Sequence, residues 1–205
     1  MTVTIDTPVL QLAWNNGSEY LDLSGLQGLW TEEQYLKLTD TTRRLIEFND
    51  GDIEVLPMPT DKHQVLLEFL FLALRAFVTQ SGGKVLFAPL RMQVREGKYR
   101  EPDLLVLRDA RDARRQNRYW LGADLVVEII SPDDPERDTR LKRADYAEAG
   151  IPEYWLVDPE AETVSVLQLA DGQYREHGVF GRGTTATSPL LEGFTMDVAA
   201  LFAAE

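Results

Sequence analysis

The sequence predicts an α/β (α+β) fold in which a mixed central sheet is flanked by helices. Three observations carry that prediction. Apolar runs of strand length recur at Val85–Val94, Asp103–Leu107, Leu125–Ile130, Glu153–Val157 and Thr163–Leu169. A stretch over about residues 62–80 repeats apolar residues at helical spacing. A second helical stretch separates the third strand from the fourth, so helices and strands alternate rather than segregate.

The elements follow in order. Residues 31–39 (TEEQYLKLT) predict a short helix. Leu45–Phe48 and Ile53–Leu56 flank Asn49-Asp50-Gly51-Asp52, a hairpin signal because glycine accepts the positive φ such turns need. Pro57 and Pro59 end the hairpin. Asp61 is placed to cap the helix over 62–80, whose wide apolar stripe runs through Val65, Leu66, Phe69, Leu70, Leu72, Ala73, Ala76 and Phe77. Ser81-Gly82-Gly83 stops it, and three strands follow. The second helix starts near Asp134-Pro135, where proline suits the first helical position, and ends at Gly150. Two further strands come next, the second folding back through Asp171-Gly172. A loop rich in Gly and Thr and a short helix near 197–204 close the chain. Residues 1–30 read as an N-terminal extension and 31–205 as a single domain.

Composition narrows the function. There is no cysteine among the 205 residues, which excludes disulfides, thiolate chemistry and cysteine zinc sites and fits a reducing, cytoplasmic setting. No run of eighteen apolar residues is present, so no membrane partner is expected. The N-terminal MTVTIDTPVLQLAW lacks a basic segment followed by an apolar core and does not read as a secretory signal. A net charge of −13 argues against a polyanionic partner, but the charge is unevenly spread. Residues 91–143 carry 13 of the 21 basic residues and balance at +2, whereas the rest of the chain sums to −15. One face tolerant of nucleic acid would produce this pattern, and so would an arginine-rich loop on an acidic protein.

Two carboxylates stand inside strand-like apolar runs: Asp103, opening Leu104-Leu105-Val106-Leu107, and Glu128, interrupting Leu125-Val126-Val127 and Ile129-Ile130. Removing a bare carboxylate from water costs several kcal/mol or more, so each must be paired, protonated or bonded to metal. A divalent cation is an economical common partner. Magnesium takes one or two protein carboxylates with water and substrate phosphate, and a nearby lysine would steady an attacking water or the developing charge.

Pro102-Asp103 followed by Glu128 resembles the PD-(D/E)xK signature of restriction-endonuclease-like nucleases. The wider pattern is more specific: Glu128-Ile129-Ile130-Ser131-Pro132, Arg137-Asp138, Lys142, Tyr146, Gly150 and Glu153-Tyr154-Trp155-Leu156-Val157-Asp158-Pro159 resemble the Uma-type family of predicted restriction endonucleases. Glu47 to Gly51, His63-Gln64 and Gly193-Phe194 also match, so the resemblance runs from about residue 43 to the C-terminus. It implies a restriction-endonuclease-like αβββαβ core preceded by a helix and hairpin, and a homodimer. It also implies a Mg²⁺- or Mn²⁺-dependent endonuclease acting on DNA, with no organic cofactor. In the general signature a lysine stands two residues after the glutamate, but position 130 is isoleucine; Lys142, on the following helix, is the matching lysine.

Each candidate has a plainer reading. Asp103 alone would pass for a solvent-facing acid at a strand start, and Glu128 for half of a structural ion pair; their pairing favours metal ligands. Asp138 lies four residues before Lys142, the spacing of an ordinary helix salt bridge. Glu47 is either a third acid of the site or an exposed hairpin residue. His63, in the first turn of the long helix, reads as a hydrogen-bonded structural residue, and His177 has no constellation around it. Zinc is not expected from two isolated histidines. Asn49–Asp52 is no calcium loop, since Phe48 stands where an oxygen is needed. Arg108, Arg111, Arg114, Arg115 and Arg118 recur at helical spacing, either as phosphate contacts or as a solvated connector. Tyr119, Trp120, Tyr154 and Trp155 read as core or dimer-interface aromatics. The expectation is a metal-dependent endonuclease with Asp103 and Glu128 as ligands, Lys142 positioning water and Glu47 assisting. A catalytically silent dimer of the same fold and a hydrolase of a small phosphorylated substrate are the alternatives.

Overall fold

The computed structural model describes residues 11–14 and 19–205, which form two compact units divided after Pro57. The reading of the chain's first ten residues as no secretory signal lies outside the described residues.

In the first unit, β1 (Gln11–Trp14) and β2 (Glu19–Asp22) form an antiparallel ladder. Helix α1 (Glu32–Thr41) begins at Thr31, whose side chain accepts from Gln34 N–H while Gln34 reaches back to the Thr31 N–H, a reciprocal cap. The predicted hairpin is β3 (Ile46–Asn49) and β4 (Asp52–Val55), turning through Asp50 and Gly51, both at positive φ. Gly51 is required twice over: its φ is 96°, and a Cβ there would lie 2.5 Å from the Gly28 carbonyl oxygen. Tyr35 of α1 stacks on Phe48 at 5.0 Å and donates to the Ile46 carbonyl.

The second unit is built on a six-stranded sheet. Helix α2 (Asp61–Val78) leads into β5 (Lys84–Phe87); β6 (Met92–Arg95) and β7 (Lys98–Arg100) form a hairpin; β8 (Leu104–Leu107) and β9 (Leu125–Ile129) follow. A π-helical stretch, Arg137–Lys142, runs straight into α3 (Arg143–Glu148). Then come β10 (Glu153–Asp158), β11 (Thr163–Ala170), β12 (Gln173–Gly181), β13 (Thr185–Thr187), β14 (Thr195–Asp197) and α4 (Val198–Phe202). The sheet order is β12-β11-β10-β9-β8-β5, with β9 and β10 parallel and the other pairs antiparallel, which is the predicted mixed sheet.

Period-two alternation sends the strand side chains into two cores. On one face Val106, Leu125, Val127, Trp155 and Val157 pack with Leu66, Leu70 and Leu74 of α2 and with Val198 and Leu201 of α4. On the other, Leu105, Leu107, Val126, Tyr154 and Leu156 pack with Tyr146 of α3. Both faces are covered, which explains why β8 and β9 are buried at every residue. The stretch Asp61–Ser81 is long and apolar enough to cross a membrane by length and composition, yet Leu66, Leu67, Leu70 and Leu74 pack in the core beside the sheet, while Leu72, expected in the apolar stripe, is exposed.

Four expectations need correction. The α2 cap is Thr60, which accepts from His63 N–H, rather than Asp61. Val85–Val94 is two strands, because Pro89 has no N–H to continue the ladder. The helix over 134–150 is π-wound from Arg137 to Lys142 rather than α-helical throughout. The arginines at helical spacing lie on no helix, since turns and bends occupy that segment. Arg114 is committed there, holding Asp112 and Asp124 at 2.7 Å each and the Ala123 carbonyl at 3.1 Å. Its guanidinium keeps the Asp112 carboxyl down at about 2. Trp120, Tyr154 and Trp155 are buried in the cores, as one of the two readings held.

Candidate active site

The β8–β9 register sets up the geometry. Leu104 pairs with Val127 and Leu105 with Val126; one further step puts Asp103 opposite Glu128. Directly opposite residues project from the same face of an antiparallel pair. Glu128 shares its face with Val126 and therefore looks toward α3, away from α2. Asp103, just ahead of β8, turns its Oδ2 to accept from the Ile129 backbone N–H at 2.7 Å.

The π-helical stretch supplies the remaining charges. A π-helix is wound more widely than the 3.6 residues per turn of an α-helix, so residues four apart stack nearly over one another. Asp138 and Lys142 thus both face inward, each with 5 % of its side chain exposed. Lys142 Nζ lies 2.9 Å from Glu128 Oε1 and 3.2 Å from Asp138 Oδ1. Tyr146, one turn on, donates its hydroxyl to the same Glu128 oxygen. Tyr154 of β10 donates to the Asp138 carbonyl at 3.0 Å. Clamps from β7 hold α3 in place: Lys98 and Arg100 grip Asp145 at 2.7 and 2.6 Å. Arg100 and Asp145 are themselves buried, so their charges are screened little.

Three carboxylates and one ammonium therefore share a nearly dry volume. Burial pushes Glu128 upward; the Lys142 charge opposes it, and the negative charges of Asp103 and Asp138 add to it. Asp138 is raised for the same first reason, again against Lys142. His63 Nε2 lies 3.2 Å from Asp103 Oδ2. Burial would lower His63, but the hydrogen bond and charge of Asp103, with the Asp138 charge, outweigh it and leave the imidazole raised.

Of the predicted residues, Asp103, Glu128 and Lys142 fall into one cluster. Glu47 is buried on β3 of the first unit, not exposed as a hairpin glutamate would be. Two cluster members escaped sequence reasoning. Asp138 reads from the sequence as half of an ordinary helix salt bridge with Lys142, which forms, but nothing local marks the pair as buried. His63 meets Asp103 across 40 residues, a contact that no local pattern encodes.

Whether these residues suit a cation can be tested on their oxygens. Asp103 Oδ2 carries two protein contacts, and so does Glu128 Oε1. No donor among the described residues engages Asp103 Oδ1 or Glu128 Oε2. Each carboxylate thus keeps one oxygen in hand, a donor set that fits a hard cation bound through two carboxylates and water. Among the described residues no group of three or more His, Cys, Asp or Glu is placed to hold a metal ion, so a cation here would lean on water and substrate for the rest of its shell.

Comparison with known proteins agrees with this architecture. The family model Uma2, described as "Putative restriction endonuclease", matches residues 32–199. A solved structure from Anabaena variabilis, described as "a putative nuclease belonging to DUF820", is similar to this chain with a TM-score of 0.71 at 24 % identity. The match covers 84 % of this chain and 97 % of that one, and at this identity it speaks for the fold alone. No curated protein matches. The family match spans most of the chain, from α1 to α4, and takes in every residue of the cluster: the protein belongs to the Uma2 family.

Proposed function

We propose that the protein is a divalent-metal-dependent endonuclease that hydrolyses phosphodiester bonds in DNA. One observation carries the reading: Glu128 meets the Lys142 ammonium in a buried cluster, the strand register puts Asp103 opposite Glu128, and each of these two carboxylates keeps an oxygen that no donor among the described residues engages. In this reading Asp103 and Glu128 would hold Mg²⁺ or Mn²⁺ through the oxygens that no described donor engages. When bound, the ion would polarise the phosphate and lower the pKa of a water.

The remaining work falls to the chain. Lys142 balances the acids and keeps a positive charge beside the reacting phosphate, where negative charge grows as water adds to phosphorus and the ester oxygen leaves. Fixed in place by Glu128 and Asp138, the ammonium needs little reorganisation during reaction. Tyr146 keeps Glu128 in one rotamer. The products are a phosphomonoester and an alcohol, so water is consumed and no further reactant is needed. The relatively basic 91–143 segment supports a polyanionic substrate on a protein of net charge −13.

The test is incubation of supercoiled plasmid with Mg²⁺ or Mn²⁺. Wild type is expected to nick or linearise it. Glu128→Ala should reduce the rate by about 10³-fold, the equivalent of the several kcal/mol that a bound metal supplies. Cleavage by Glu128→Ala at the wild-type rate, or none by wild type at high concentration with either ion, would refute the proposal.

A further inference from the structure

Asp103 Oδ2 accepts from two donors of separate origin. One is the Ile129 backbone N–H of β9 at 2.7 Å; the other is His63 Nε2 in the first turn of α2 at 3.2 Å. A carboxylate is planar, so two donors on one oxygen fix where the second oxygen lies. With the proton on Nε2, Nδ1 is left as an acceptor, and Nδ1 is buried without a hydrogen-bond partner. A buried acceptor without a donor opposes folding. Helix capping does not explain its retention, since Thr60 accepts from the His63 backbone N–H, which any residue would offer. Asp103 is the one hydrogen-bond partner recorded for the imidazole among the described residues.

We propose that His63 is a positioning residue of the site: its imidazole holds Asp103 by Oδ2 and so presents Oδ1 to the cation. The proposal rests on reading Asp103 as a metal ligand. Partners that orient ligands in this way change metal affinity by about 10- to 100-fold when removed. They do so without touching the metal.

The experiment is calorimetric titration of Mn²⁺ into wild type, His63→Leu, His63→Gln and Glu128→Ala, with the melting temperature of each metal-free protein measured alongside. His63→Leu should bind Mn²⁺ at least about tenfold more weakly than wild type. His63→Gln, whose amide nitrogen reaches about as far as Nε2, should recover most of that loss. A role in stability alone would lower both melting temperatures and leave Mn²⁺ affinity unchanged. Wild-type affinity in His63→Leu alongside lost affinity in Glu128→Ala overturns the positioning role and leaves the metal reading standing. Absence of Mn²⁺ binding by wild type overturns both. Should His63→Leu not fold, His63→Asn replaces it: the shorter amide cannot span to Oδ2, and equal affinity in the Asn and Gln variants refutes the proposal.

Discussion

Glu128 and Glu153 stand on adjacent parallel strands, and both are almost wholly buried, at 2 % and 0 % exposed. Burial raises the pKa of each. Their surroundings differ. Glu153 Oε1 accepts from Trp155 Nε1 and Ser188 Oγ, both at 2.6 Å, and Oε2 accepts from Leu190 N–H at 2.9 Å. All three donors are neutral, both oxygens are engaged, and the effect is to tie the 188–191 segment to the sheet. Glu128 has an ammonium and a phenol on one oxygen, no donor on the other, and two more carboxylates in its field. A buried acid is therefore no sign of chemistry by itself. An incompletely engaged acid among other acids is a better candidate, because it keeps an oxygen for a proton or a ligand.

Deleting each acid should give opposite results. Glu153→Ala strands three buried donors and opens a cavity, so it is expected to cost about 3 kcal/mol. In a chain of this length that lowers the melting temperature by about 6–12 °C. Mn²⁺ binding by the folded fraction should be unchanged. Glu128→Ala also removes a partner of Lys142 and of Tyr146, but relief of crowding among the carboxylates offsets part of that loss, so it should melt closer to wild type than Glu153→Ala while losing Mn²⁺. Thermal denaturation of the two variants with and without Mn²⁺ checks this. If Glu128→Ala is the one that collapses, Glu128 is the structural acid and the contrast is broken.

A smaller effect follows from pH. Burial raises Glu128 from 4.5 to about 8, so between those values the folded chain holds a proton that the unfolded chain has released. The stabilising contribution is complete below the ordinary carboxylate range and is lost as pH rises toward 8. Glu128→Gln mimics the protonated form at every pH. The variant should match wild type near pH 5 and exceed it near pH 8, by about 1 kcal/mol or more after allowing for Lys142. Denaturant unfolding at both pH values reads the difference. A constant gap would mean that Glu128 is ionised throughout, as a satisfied structural acid would be.

How much of this was legible depends on whether the determinant was local. The mixed sheet, α2 and the β3–β4 hairpin could be read from apolar period and turn residues, and β9 betrayed Glu128 by setting a charge among five buried positions. The same rule applies less clearly to Glu153, which stands at the strand's first position with no apolar run on both sides of it. What completes it, Ser188 and Leu190, lies more than thirty residues on. The π winding that turns Asp138 and Lys142 inward leaves no proline or glycine in the sequence to mark it. His63 and Asp103 meet only because α2 packs beside β8 and β9. Strand chemistry is encoded nearby; the company a side chain keeps is not.

The finest contrast trims one donor from the structural acid. Ser188 donates to Glu153 at 2.6 Å and accepts from Leu191 N–H at 2.8 Å, so Ser188→Ala removes two hydrogen bonds and no charge. Trp155 and Leu190 still hold Glu153, one on each oxygen. The expected loss is about 1–2 kcal/mol, or about 2–8 °C in melting temperature, less than what Glu153→Ala costs. The Ser188 bond also favours the ionised form of Glu153, so its removal raises that pKa further. The destabilisation should therefore be larger at pH 8 than at pH 5. Mn²⁺ affinity and plasmid cleavage are the controls. A shift in either would mean that the two acids are coupled through β9 and β10, and that the sheet does not keep the structural cluster apart from the chemical one.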